Sequence, residues 1–386
     1  MSKEIIGICG AGAMGSGIAQ VAASFGHSVI VYDNFPDAND KSKKGIQSGL
    51  AKLVEKEKIS KEDADKIVSG INYTEKLTDL ASADMVIEEI IEDLEIKKKL
   101  FSELESLVGK DCILASNTSS LSIASISAAC KNKSRVIGIH FFNPVPLMPL
   151  VEIIPSIITD NAVTQKSKSL IDSWKKVTVI TKDTPGFIVN RVARPYYSES
   201  IRIYEEGYAD FATIDWALKE YGKFKMGPFE LMDFIGSDVN YRVTESVWQQ
   251  FFYEPRFKPS LTQKRLFEAG LYGRKSGRGY YDYSEGSVMP EPNKNPQTGT
   301  YIFVRVISML INEAIDSYYL GLASKEDLDL AMTKGVNYPK GLIQWGKELG
   351  LKNVYDTLMH LYSEYNEDRY RPCVLLKRLV AEGKSI

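Results

Sequence analysis

The chain has 386 residues, 44% hydrophobic and 25% charged, with a formal net charge of −2. That length exceeds one small core and points to two or three domains. The charge balance excludes a typical nucleic-acid binder, which needs a basic excess, and no apolar run is long enough to span a bilayer. Cys9, Cys112, Cys130 and Cys373 are widely spaced, with no C-x-x-C pair. They read as reduced thiols of a reducing compartment. The N-terminus runs straight into an apolar segment without a basic-then-apolar leader, so the expected location is the cytoplasm.

Residues 5–9 form a short apolar strand, followed at once by Gly10-Ala11-Gly12-Ala13-Met14-Gly15. Residues 14–25 read as a helix that stops at Gly26, and residues 28–32 as a second buried strand closed by Asp33. This is the dinucleotide fingerprint in its required setting. Gly10 permits the tight turn, Gly12 lets the backbone approach a pyrophosphate, and Gly15 lets helix and strand pack closely. The helix start, with Ala13 and Met14, presents free N–H groups to phosphate. Asp33 lies 18 residues after Gly15, where an acid hydrogen-bonds the adenosine ribose and repels a 2′-phosphate. NAD is therefore expected rather than NADP.

Residues 41–58 are helical and rich in lysine: Lys41, Lys43, Lys44, Lys52, Lys56 and Lys58. Such a run is ordinarily a solvated helix face; the sharper reading is a basic arm for the phosphates of an anionic substrate. Further strands are read at residues 85–87, 112–115, 136–139, 151–154 and 177–180, with helices at 94–107 and 163–174. The alternation predicts a largely parallel sheet with helices on both faces. Ligands of such sheets bind beyond the carboxyl ends of the strands, where Asn117, Ser119 and His140 fall.

Of three histidines, His27 sits at a helix end and His360 in a late helix, both as packing or surface residues. His140 ends an apolar strand and opens His140-Phe141-Phe142-Asn143-Pro144. Glu152 lies twelve residues on, in the next strand. If these strands pair, the carboxylate fixes the tautomer of the ring and favours its protonated form, which is how a general base is held ready for an alcohol proton. Ser119 is placed to hydrogen-bond a substrate oxygen. Asn190 falls early in a helix expected to begin at Pro185 with Thr184 as its N-cap, and its amide can steady charge on the reacting oxygen. The bland alternatives are a core histidine, a serine cap and a solvated asparagine. A Ser–His–Glu hydrolase is also conceivable, but the chain has no G-x-S-x-G elbow and a hydrolase needs no dinucleotide loop.

At these residues the chain resembles the 3-hydroxyacyl-CoA dehydrogenases. The matching pieces are residues 10–20, 115–123 and 140–152, then Asp183-Thr184-Pro185-Gly186-Phe187-Ile188-Val189-Asn190-Arg191, Lys225-Met226-Gly227-Pro228 and Gly273-Arg274-Lys275-Ser276-Gly277-Arg278-Gly279-Tyr280. The resemblance implies that His140 is the catalytic acid/base, that Glu152 orients it, and that Ser119 and Asn190 contact substrate. It implies that Asp33, Glu92 and Lys97 serve the cofactor and that Lys56 meets coenzyme A phosphates; Asn117 is expected at the cofactor and Asn143 at the substrate. Two features depart from the family: Glu89 stands where a small residue is usual beside the cofactor cleft, and the run Trp174-Lys175-Lys176-Val177 lacks a glycine before its lysine.

Beyond Asn190 amphipathic helices replace the strands, and the sequence repeats. Arg191-Val192 matches Arg305-Val306, Glu199 matches Glu313, Asp215-Trp216-Ala217 matches Asp329-Leu330-Ala331, Gly227 matches Gly341 and Gly236 matches Gly350, all 114 apart. Residues 286–300, rich in Pro, Asn and Gly, read as the linker. Val304 stands where the first copy has Asn190, so only the first copy can be catalytic. The second copy is expected to pack on the first within one chain, in place of part of a dimer contact.

The expected fold is an α/β Rossmann-type N-terminal domain (residues 1–184) followed by two repeated all-α C-terminal domains (185–285 and 300–386). The expected reaction is NAD-dependent interconversion of (S)-3-hydroxyacyl-CoA and 3-oxoacyl-CoA. A short chain such as 3-hydroxybutyryl is expected, since no partner domain for long-chain oxidation is fused. The partners are an acyl-CoA and NAD, with no nucleic acid and no membrane, in a monomer or homodimer. The rivals are a dehydrogenase of small hydroxy acids or sugar acids and a non-catalytic NAD-binding scaffold.

Overall fold

Short β-branched runs set the framework of the N-terminal half. The computed structural model describes residues 3–386. Strands β1 (Ile5–Cys9), β2 (Ser28–Tyr32), β3 (Ile71–Thr74), β4 (Met85–Glu88), β5 (Ile113–Ser116), β6 (Val136–Phe141), β7 (Leu150–Pro155) and β8 (Val177–Ile180) join one sheet in the order β3-β2-β1-β4-β5-β6-β7-β8. The first six are parallel; β7 runs antiparallel to β6, and β8 follows β7. Helices α1 (Ala13–Ser24), α2 (Pro36–Glu55), α3 (Lys61–Ser69), α4 (Leu94–Leu107), α5 (Ile123–Ser127) and α6 (Asn161–Ser173) connect them. Ile6, Ile8, Val29, Val31, Ile87, Ile137, Ile139 and Ile153 are fully enclosed. A sheet covered on both faces reads as unbroken apolar runs, which is why these strands were legible.

Strand β3 was not. Only Ile71 of its residues is buried, because it lies at the sheet edge, where a strong apolar signal is absent. Helix α2 starts at Pro36, its pre-set φ opening the helix. It stops before Lys56 and Lys58, which were read as part of it.

The chain divides into two compact units, one ending at Thr184 and one beginning at Pro185. The second contains α7 (Val189–Val192), α8 (Arg194–Glu205), α9 (Phe211–Gly222), α10 (Pro228–Ile235), α11 (Ser237–Gln250), α12 (Leu261–Glu268), α13 (Pro296–Tyr319), α14 (Lys325–Gly335), α15 (Leu342–Leu349), α16 (Leu351–Tyr365) and α17 (Val374–Ala381). Two boundaries differ from the sequence reading. The helix carrying Asn190 begins at Val189, not Pro185, because Gly186 (φ 73°) and Phe187 (φ 45°) take left-handed conformations that interrupt it. Thr184 caps nothing; its hydroxyl is enclosed without a partner. And α13 begins inside the expected linker, at Pro296, because the Asn295 side chain accepts hydrogen bonds from the N–H groups of Gln297 and Thr298.

The repeat appears as geometry. Helices α9, α10 and α11 begin at Phe211, Pro228 and Ser237; α14, α15 and α16 begin at Lys325, Leu342 and Leu351, each 114 residues later. In the first copy the Asp215 carboxylate accepts from the N–H groups of Phe229 and Glu230, holding the start of α10. In the second, Asp329 does the same for Ile343 and Gln344 at the start of α15. The glycine before each helix is obligatory, since a Cβ at Gly227 would lie 2.3 Å from Asp215, and one at Gly341 2.0 Å from Asp329.

The copies also exchange charges. Arg191 Nε donates to Glu313 Oε1 at 2.7 Å, and Arg305 Nε donates to Glu199 Oε1 at 2.6 Å. Each arginine reaches the other copy's glutamate, the self-complementary pattern of a two-fold interface. All four side chains are buried.

Candidate active site

The site grows from the carboxyl edge of the sheet. After β1 the chain turns at Gly10, φ 111°, where a Cβ would lie 2.1 Å from the carbonyl oxygen of Glu89. A Cβ at Gly15 would lie 2.0 Å from the carbonyl of Gly10, whereas one at Gly12 would meet nothing within 4 Å. So Gly10 and Gly15 are required by packing, and Gly12 leaves a bare approach to the backbone. No side chain caps α1 at Gly12, so the first N–H groups, around Ala13 and Met14, face outward with the positive end of the helix dipole.

Asp33, past the end of β2, is tied to this loop: Oδ2 accepts from Ala11 N at 2.8 Å and Oδ1 from Phe35 N at 2.9 Å. A cleft of about 730 Å³ runs along the loop and α2, lined by Gly12, Ser16, Asp37, Lys41, Ser42 and Gly45. Of the basic run, Lys41 lines it; Lys56 is exposed at the end of α2. A cradle free of side-chain atoms, exposed helix N–H groups and a fixed carboxylate fit a dinucleotide. Asp33→Ala is expected to weaken NAD and narrow its lead over NADP by roughly tenfold, the size of one charge-assisted hydrogen bond. The ratio of the two dissociation constants checks this; an unchanged ratio removes Asp33 from the ribose.

The antiparallel turn from β6 to β7 sets His140 opposite Glu152. Nδ1 of His140 lies 2.7 Å from Oε2 of Glu152, with the side chains 6% and 0% exposed. A buried carboxylate accepts, so the Nδ1 proton is fixed and Nε2 is the basic nitrogen. The Phe142 ring lies 4.5 Å from the imidazole, centroid to centroid. Asn143, next along, is exposed, and Ser119 is half-buried beyond β5.

Glu92 and Lys97, expected at the cofactor, are joined with Glu88 in a buried network that supports this edge. Lys97 is 1% exposed, its Nζ 2.5 Å from Glu88 and 3.2 Å from Glu92. Burial opposes its charge, yet Glu88 and Glu92 hold its pKa above the ordinary value. Glu92 in turn accepts from Thr118 Oγ1 at 2.5 Å, Ser120 Oγ at 3.0 Å and Ser119 N at 3.3 Å. Lys97 thus reaches the Ser119 loop through Glu92. Ser116 donates to Glu88 at 2.7 Å. Asp183 accepts from Ser122 Oγ and from the N–H groups of Ile123 and Ala124, anchoring the start of α5. The only signal in sequence for Asp183 was its place beside Thr184-Pro185-Gly186.

Asn117 bridges the strand ends. Its Oδ1 accepts from Phe141 N at 2.7 Å, which turns its Nδ2 toward Glu89, to which it donates. Burial pushes the Glu89 carboxyl up to about 7; Asn117 and Lys97 pull it down, while Glu88 and Glu92 push it up. A carboxyl whose folded pKa exceeds its unfolded value binds its proton more tightly when folded. Stability therefore falls as pH rises from ~4.5 through ~7, then levels off. Glu89→Gln is expected to match the parent near pH 4 and exceed it near pH 8 by up to ~3 kcal/mol. Urea unfolding at both pH values decides; an equal difference at both would refute the titration.

Asn190 lies in the second unit, half-buried in α7. Among the described residues, no helix is long and apolar enough to cross a membrane.

Comparison with known proteins gives this geometry its context. The model described as "3-hydroxyacyl-CoA dehydrogenase, NAD binding domain" matches residues 5–184, and "3-hydroxyacyl-CoA dehydrogenase, C-terminal domain" matches residues 186–283 and again 301–385. The 3-hydroxyadipyl-CoA dehydrogenase of Escherichia coli K12 is 36% identical, covering 98% of each chain. The mitochondrial hydroxyacyl-coenzyme A dehydrogenase of Sus scrofa is 41% identical over 72% of this chain and 90% of its own. A crystal structure of 3-hydroxybutyryl-CoA dehydrogenase from E. coli K12 superposes with a TM-score of 0.93 at 36% identity, covering 99% of this chain and 100% of that one. The two models together span nearly the whole chain, and the chain belongs to the 3-hydroxyacyl-CoA dehydrogenase family.

Proposed function

We propose that His140 is the acid/base in the NAD-dependent interconversion of 3-hydroxyacyl-CoA and 3-oxoacyl-CoA, the activity that family membership gives this chain. The observation that carries the assignment is the 2.7 Å contact of its Nδ1 with buried Glu152. In the oxidising direction Nε2 of His140 takes the proton of the C3 hydroxyl. Glu152 stabilises the resulting imidazolium and keeps the ring from turning. NAD, held at the glycine loop and Asp33, would supply the acceptor for the C3 hydride. Ser119 and Asn190 hydrogen-bond the reacting oxygen, and Asn190 steadies the charge that develops there. In reduction the imidazolium returns its proton. Asp33 and the glycine loop hold the cofactor, Glu92 keeps the Ser119 loop in place, and Asn143 and Lys56 meet the substrate.

A short acyl chain such as 3-hydroxybutyryl is the first substrate reading, supported by the solved E. coli structure of that name. A second reading is a six-carbon dicarboxylic acyl-CoA, because a relative spanning 98% of both chains is named for 3-hydroxyadipyl-CoA. An NADH-absorbance assay across acyl-CoA substrates from butyryl to decanoyl, in both directions and beside the free hydroxy acids, tests the function. Turnover confined to acyl-CoA is expected. Equal kcat/KM on free acids would favour a hydroxy-acid dehydrogenase, and NAD binding without any turnover a scaffold.

A further inference from the structure

Arg194 is an anomaly within the helical unit. It is 5% exposed, yet among the described residues no carboxylate faces it. One guanidinium nitrogen donates to Thr244 Oγ1 at 3.1 Å, and the group lies over the Tyr197 ring at 4.8 Å. Its Nε is enclosed with no hydrogen-bond partner, and so is the hydroxyl of neighbouring Tyr338. Burial holds the arginine below its ordinary pKa, and Tyr197 and Tyr338 are the groups that act back on it. An enclosed cation without a counter-charge is costly and asks for a reason.

The internal repeat supplies a control. Stepping 114 residues from Arg194, Tyr197 and Thr244 gives Ser308, Ile311 and Leu358; stepping back 114 from Tyr338 gives Phe224. The other copy thus has no charge and a nearly apolar lining at the equivalent place, so the fold does not need this cluster. The cluster occurs once: Arg194, Tyr197 and Thr244 belong to the copy that carries Asn190, where the other has Val304, and Tyr338 joins them from the second copy.

Position gives it a ligand. Only Ala193 falls between α7 and α8, and it keeps helical angles (φ −78°, ψ −10°), with Val192 N bonded to Ile188 O and Ala193 N to Val189 O. Residues four apart share a helix face, with Cβ atoms about 6 Å apart. In a six-carbon dicarboxylic acyl chain, the carbon bearing the 3-hydroxyl and the distal carboxyl carbon are three bonds apart, roughly 4 Å. Both lengths are short, so one small acyl chain can reach both side chains. A guanidinium fork beside a phenol hydroxyl matches a carboxylate, not a methyl end.

We propose that Arg194, with the hydroxyls of Tyr338 and Thr244, binds the distal carboxylate of a dicarboxylic 3-hydroxyacyl-CoA whose C3 oxygen lies at Asn190. This rests on the acyl-CoA reading above and narrows it to one substrate class. The test compares 3-hydroxyadipyl-CoA with 3-hydroxyhexanoyl-CoA, equal in length and differing at the far end, using the full chain and NAD. The parent is expected to favour the dicarboxylate in kcat/KM by tenfold or more. Arg194→Met should cut that ratio at least tenfold, and Tyr338→Phe by a smaller factor. General damage to the scaffold lowers both substrates together and leaves the ratio unmoved. Equal turnover of the two substrates by the parent, a reading that needs no variant to fold, would overturn the proposal; so would a ratio that survives Arg194→Met. Turnover of neither acyl-CoA would instead overturn the function on which it rests.

Discussion

His140→Ala is expected to leave the NAD dissociation constant within about threefold of the parent and to lower kcat by 10²–10⁴, roughly the range for loss of a general base. The two effects separate because the imidazole lies on β6 while the cofactor cradle lies at β1, β2 and α1. Glu152→Gln should fall between parent and His140→Ala. It keeps a hydrogen-bond acceptor for Nδ1 but removes the negative charge that stabilises the protonated ring. Cofactor titration by fluorescence and steady-state kinetics on one preparation give both numbers. A kcat within threefold of the parent for His140→Ala would remove the imidazole from the reaction. A parallel loss of NAD affinity would mean the substitution had disturbed the sheet edge.

The second large effect concerns stability. Arg305 donates to Glu199, to both carboxylate oxygens of Glu206 and to the hydroxyls of Tyr301, Tyr365 and Tyr370. Arg305→Met strands buried Glu199, leaving Tyr370 as its one donor among the described residues. Breaking one side of a buried pair costs ~3–5 kcal/mol, while replacing both sides by apolar groups is often close to neutral. Arg305→Met alone should therefore be less stable than Arg305→Met with Glu199→Leu, as read from denaturant midpoints at a constant slope. If the double variant were as unstable as the sum of its parts, the two charges would not be coupled.

Much of the first unit was legible because its signal is local. A buried parallel strand is a short apolar run wherever it occurs, and the glycine loop announces a turn that only glycine can make. The partnership of His140 and Glu152 followed from two neighbouring strands and one register. What stayed hidden depends on distant partners. Glu88 looks like an ordinary charge of a strand end, and Lys97, expected at the cofactor, gives no sign in sequence that folding pairs it with Glu88. The break at Gly186 and Phe187 comes from backbone conformations that no apolar period reports. Arg194 was invisible for the same reason: an isolated arginine in a helical run normally faces water, and only enclosure marks it out. The repeat itself was legible, but not the exchange of Arg191 and Arg305 between its halves, because internal identity says which residues correspond and not which ones touch.

That exchange has a consequence for dilution. Two separate chains held by such crossed pairs part when their concentration falls below the dissociation constant. Here the partner surfaces are tethered by one short stretch of polypeptide, and each sees the other at an effective concentration on the order of millimolar. Their association becomes a unimolecular property of the molecule, indifferent to how much protein the solution contains. The tethered half is then at liberty to drift in sequence at every position that does not touch its sibling, as Val304 in the place of Asn190 illustrates.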